Sequence, residues 1–127
     1  MKLQPDRSDS LTINAHGPGW IAVNGQQYRQ SVLISAQAEL SLWDCHRFDD
    51  IQADHFAQLA DSGPELVLFG SGQRLRFPHP SLLQTLIARR IGVETMDSLA
   101  ACRTYNILAA EGRKVALALL LETVETA

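Results

Sequence analysis

A chain of 127 residues, 46% hydrophobic and 20% charged, can bury a core of its own and has the composition of a globular domain, not of a disordered or fibrous chain. Its formal net charge of −3 and pI near 5.7 argue against nucleic-acid binding, because there is no basic excess to displace counterions from phosphates. Two cysteines, Cys45 and Cys102, are too few for a disulfide framework and fit a reducing compartment.

Residues 1–9 are polar, include Pro5 and lack the apolar core of a signal peptide, so they are expected to be flexible. Leu11 to Ala15 begins an extended segment, His16-Gly17-Pro18-Gly19 turns, and Trp20 to Val23 forms a second strand. Asn24-Gly25 is a hairpin signal, because both central residues of a type I′ turn need positive φ. Gln26 to Arg29 returns from it. Ser31 to Ser35 and Glu39 to Trp43 read as further strands, which makes the first third a β-rich flank with antiparallel connections. Both tryptophans, Trp20 and Trp43, fall in this flank and read as core.

The pattern changes near Asp49. Asp49 or Asp50 can cap a helix that runs to about Ala60, with Ile51, His55, Phe56 and Leu59 on its buried stripe. Asp61-Ser62-Gly63-Pro64 stops it. Glu65 to Gly72 follows. Leu66-Val67-Leu68-Phe69 does not alternate with polar residues, so it predicts a central strand covered on both faces. Gln73 to Phe77 reads as extended, Pro78-His79-Pro80 breaks the chain, and a helix follows with Leu82, Leu83, Leu86 and Ile87 as its apolar face. Val93 to Met96 is a short strand. Asp97 caps a third helix from Ser98 to Glu111, ended by Gly112, and Arg113 to Val124 carries a last strand whose direction the sequence leaves open. No repeat or linker interrupts this order, so residues 1–127 read as one α/β domain, and the alternation of helix and strand in its second half favours parallel, right-handed crossovers with the sheet buried on both faces. The longest apolar run, Val115 to Leu121, is far shorter than a bilayer span, and the expectation is a cytoplasmic protein.

Chemistry is sparse. Gly70-Ser71-Gly72 combines a flexible turn with a hydroxyl, but no Gly-Lys-Ser/Thr follows and Leu75 stands where a dinucleotide fingerprint needs glycine. Arg74 and Arg76 lie just beyond, where they can meet an anion or simply face solvent. In the third helix Cys102, Arg103 and Asn106 are neighbours along one edge. Cys102 and Arg103 also lie near the positive end of the helix dipole, which favours a thiolate or a bound anion. The plainer reading is a small buried cysteine, an arginine salt-bridged on the surface and an asparagine that hydrogen-bonds a neighbouring loop. A cysteine hydrolase needs a histidine beside Cys102, and spacing places none of His16, His46, His55 or His79 there. Asp44-Cys45-His46 with Asp49, Asp50, Asp54 and His55 lacks the spacing of a metal site. No cofactor and no metal is expected.

The motifs Leu66 to Gly72, Ile91 to Asp97, and Ala101 to Asn106 with Glu111-Gly112-Arg113 resemble a small bacterial and archaeal domain family of unknown function. Its eukaryotic relatives include the mitochondrial complex I assembly factor 3 and the adipogenesis-associated Mth-domain protein. The resemblance runs from about Leu11 to Leu121. It implies a three-layer α/β fold, with a central mixed sheet, helices and a β-rich N-terminal flank, and no shared enzymatic activity. Where the family turn resembles Gly-Thr-Gly, Ser71 keeps the hydroxyl. The resemblance also implies a cleft between that turn and the third helix, lined by Gly70, Ser71, Gly72, Asp97, Cys102, Arg103, Thr104 and Asn106. The expected function is a non-catalytic interaction protein with protein partners, in the manner of a respiratory-complex assembly or stability factor, and homodimerisation is open to it. The alternative is a small-molecule or anion binder, or an enzyme, that uses that cleft. A thiol sensor at Cys102 is a third.

Overall fold

The computed structural model describes residues 11–122. The expected flexibility of residues 1–9 and the end of the expected last strand at Val124 lie outside them. Strands β1 (Ile13–Gly17), β2 (Trp20–Val23) and β3 (Gln26–Tyr28) form an antiparallel meander. Asn24 and Gly25 take φ of 47° and 86° at its second turn, as the hairpin signal requires.

The second sheet has five strands in the order β5-β4-β8-β6-β7: β4 (Val32–Ile34), β5 (Leu40–Leu42), β6 (Leu66–Gly70), β7 (Gly92–Met96) and β8 (Val115–Leu119). The β4–β5 hairpin therefore belongs to the central sheet and not to the flank. Val32, Leu33 and Ile34 are all buried, and a strand apolar on both faces must lie inside a covered sheet. β8 runs parallel to β6 and antiparallel to β4, which settles its direction and makes the sheet mixed. β6 pairs parallel with β8 on one side and β7 on the other, so it is central as its composition predicts.

Helices α1 (Ala53–Asp61) and α2 (Gln84–Ala88) cover one face of this sheet. Val67, Phe69, Ala116, Ala118 and Leu120 meet Phe56, Leu59, Leu86 and Trp43 there. Helix α3 (Ser98–Ala110) and the meander cover the other face. Leu68, Leu117 and Leu119 meet Ala101, Cys102 and Tyr105 from α3, and Ile13, Ile21 and Val23 from the meander. The molecule is thus a three-layer α/β structure around a mixed sheet.

Several local expectations change. Asp49 and Asp50 do not cap α1. They close a separate 3-10 turn, Phe48–Asp50, and α1 starts after Gln52, whose side chain makes no cap bond. Residues 73–77 are not a strand, because the Ser71 hydroxyl donates to Arg74 O at 2.7 Å and accepts from Arg76 N at 2.9 Å, which folds the segment back on itself. α2 is short and follows a 3-10 turn, Pro80–Leu83; Ile87 is 59% exposed and drops out of its apolar face. Trp43 is fully buried, with the His55 ring 5.8 Å away at the helix–sheet seam. Trp20 is only half-buried.

Candidate functional site

β6 delivers Gly70-Ser71-Gly72 to the start of α3. Ser71 N donates to Met96 O at 2.9 Å, and Gly72 N donates to the Ser98 hydroxyl at 2.9 Å. That hydroxyl in turn donates to Leu120 O at 2.7 Å, and Ser98 N donates to Gly72 O at 2.8 Å. The turn, the first residue of α3 and the chain leaving β8 are therefore stitched together by hydrogen bonds that use their polar groups. Gly70 stays in the strand, and its lack of a side chain permits close packing. A Cβ there would stand 2.7 Å from Leu119 Cδ1. Gly72 needs glycine twice over, with φ of 102° and a position where a Cβ would meet Glu122 Oε1.

Arg76 closes this region. Its Nη2 donates to Ser71 O at 2.7 Å and pairs with Glu122 Oε1 at 2.6 Å, while its guanidinium lies 4.8 Å from the centre of the Phe48 ring. Both charged side chains are about three-quarters buried, at 22% and 24% exposure. The anion that Arg76 meets is thus an internal carboxylate 46 residues away, and no local spacing announces it.

Beside the turn lies a cavity of about 270 Å³. Trp20 and the Gly17-Pro18-Gly19 turn line it from the meander, Leu99 and Cys102 from α3, and Gly72, Gln73 and Glu122 from the segments that follow β6 and β8. Of the residues that the motifs single out, Gly72 and Cys102 line it. Ser71 is fully buried and engaged internally. Asp97 Oδ1 accepts from Ala100 N at 2.9 Å as the cap of α3. Arg103 is exposed, and Thr104 is half-buried outside the lining. Asn106 faces β1: its Oδ1 accepts from Ile13 N and its Nδ2 donates to Ile13 O, both at 2.9 Å. The structure does not bring Arg103, Thr104 or Asn106 to the cavity. Trp20, Leu99 and Glu122 line it instead; of these, only Trp20 had a local sign, in its place directly after a Gly-Pro-Gly turn.

The helix dipole does not make Cys102 a thiolate. Burial pushes its thiol up to about 12, with Arg103 opposing the shift and Asp97 adding to it. Cys45 is also raised, chiefly by burial. No histidine lines the cavity among the described residues, and among them no cluster of three metal-ligating side chains forms.

The pattern of a family described as a protein of unknown function (DUF498/DUF598) matches residues 13–120. The chain belongs to this family. It is 36% identical over 127 residues to NADH dehydrogenase (ubiquinone) 1 alpha subcomplex assembly factor 3 of Mus musculus, covering 98% of this chain and 68% of the mouse protein. A crystal structure of a Bordetella parapertussis protein superposes with a TM-score of 0.84 at 37% identity, covering 92% of this chain and 100% of that one. The solution structure of a Bordetella pertussis protein described as a Mth938-like domain gives 0.77 at 31% identity, with coverage of 96% and 93%. The DUF498/DUF598 match spans all eight strands and three helices, and the cavity residues Leu121 and Glu122 lie just past its end.

Proposed function

We propose that this chain is a non-catalytic interaction protein of the cytoplasm that assists the assembly or stability of an NADH dehydrogenase complex. The observation that carries the reading is the 36% identity, across the whole chain, to the mouse protein named as an assembly factor for that complex. The outer face of α3 supports it. Leu99, Arg103 and Ile107 stand four residues apart on one exposed stripe, with Leu99 44% and Ile107 58% exposed. Exposed apolar side chains around an arginine have the composition of an interface centre.

Deleting the gene in the protein's own cells should lower the amount of assembled NADH dehydrogenase, read as in-gel activity after native electrophoresis. Re-expressed wild type should restore it. Ile107→Glu should not restore it, although it should fold with an unchanged midpoint, because surface substitutions usually move stability by no more than about 0.5 kcal/mol. An unchanged level of assembled complex in the deletion strain would sink the proposal.

A further inference from the structure

We propose that the cavity between the β1–β2 turn and α3 is a binding site for a neutral aromatic small molecule of about two fused rings. Size is the first argument. The cavity measures about 270 Å³. An engineered apolar cavity of about 150 Å³ stays dry and binds benzene, so the larger space suits a second ring.

Polarity is the second argument, because the Ser98 and Glu122 side chains at the lining are already engaged and Gln73, the other polar side chain there, is neutral. The Ser98 hydroxyl both accepts from Gly72 N and donates to Leu120 O. The one carboxylate, Glu122, is paired with Arg76 at 2.6 Å. Arg103, exposed on α3, does not line the space. A charged ligand would thus be desolvated with no opposite charge left to meet it, which disfavours it strongly. What remains available is apolar surface from Pro18, Leu99 and Leu121 and the neutral amide of Gln73, together with the half-buried indole of Trp20.

Shape is the third. Gly17 is needed beneath that indole, since a Cβ there would meet Trp20 Nε1. The indole therefore stands close over the Gly17 backbone, and Gly72 likewise brings no side chain to the lining. With Trp20 as the one aromatic ring on the lining among the described residues, offset stacking or edge contact favours an aromatic occupant.

The test uses the full chain and three probes of one shape: 1-naphthol, 1-naphthoate and 1-naphthylmethylammonium. Titration calorimetry and thermal unfolding should show saturable binding and a raised midpoint with 1-naphthol, and neither with the two charged analogues. Leu99→Trp, which fills the mouth from a partly exposed position, should weaken 1-naphthol at least about tenfold, whereas Ile107→Trp on the outer face should change it less than about twofold. Should Leu99→Trp misfold, Trp20→Ala removes the ring wall and should also weaken binding. The proposal is overturned if 1-naphthol does not bind, if either charged analogue binds as tightly, or if Leu99→Trp and Trp20→Ala both leave its affinity unchanged.

Discussion

Cys102 sits in the first turns of α3, where the peptide dipoles favour a thiolate, yet it is 1% exposed and its thiol is pushed up to about 12. Desolvation of the charged form outweighs both the dipole and the neighbouring Arg103. An aromatic disulfide reagent at pH 8 should therefore label Cys102 only after unfolding. Labelling of the native protein would restore the thiol-sensor reading. The same shift sets a pH dependence. The folded thiol keeps its proton to about 12, whereas a thiol at its ordinary value of 9.0 loses it earlier. Between those values the unfolded state binds fewer protons, so this contribution to stability is complete below pH 9 and is lost as the pH rises toward 12. Tyr105, raised by burial from 10.0 to about 12, acts in the same direction. The urea midpoint should fall across that window, and Cys102→Ala should flatten the part of the fall that begins near pH 9.

The contrast between α1 and α3 belongs to the scale of the element. Asp97, extended at φ −65° and ψ 163°, accepts a hydrogen bond from the Ala100 amide through its Oδ1, so α3 begins where its sequence says it should. Gln52 is equally extended, at φ −123° and ψ 154°, but its side chain makes no such bond. The nearby aspartates were legible as caps, and only the observed chain path shows that they serve the preceding 3-10 turn. Gln52→Asp should therefore stabilise the protein by about 0.5–1 kcal/mol, and Asp97→Ala should destabilise it by about 1 kcal/mol, both read from urea unfolding at neutral pH. A neutral Gln52→Asp would mean that solvent already satisfies the first turn of α1. Strand β6 was legible for a similar local reason, because four apolar residues in a row admit no solvated face. Residues 73–77 were not legible. Their shape depends on where the Ser71 hydroxyl points, and residue type does not encode that.

At the scale of the whole molecule, Asn106 joins layers. Its amide bonds both backbone groups of Ile13, 93 residues away, and so ties α3 to the meander edge. Asn106→Ala leaves an amide and a carbonyl without partners at a half-covered site and should cost about 1–3 kcal/mol. Amide exchange should quicken at Ile13 and along β1 and β2 while Val67 to Phe69 stay protected. Equal loss in both sheets would show that Asn106 supports the whole core and not this junction. The sequence by itself determined most of the strands and helices, though not the path of residues 73–77 or the start of α1, which of them are apolar on both sides, and the resemblance to a family of unknown function, because these rest on local period, caps and motifs. Only the tertiary structure decided that β4 and β5 enter the central sheet, that β8 lies between β4 and β6, that Arg76 meets Glu122, and that Gly72 and Cys102 share a cavity with Trp20 while Arg103 and Asn106 do not. The physical reason is that a local pattern records which face of an element must leave water. It does not record which distant element comes to cover it, since those pairings are chosen by contacts between residues dozens of positions apart.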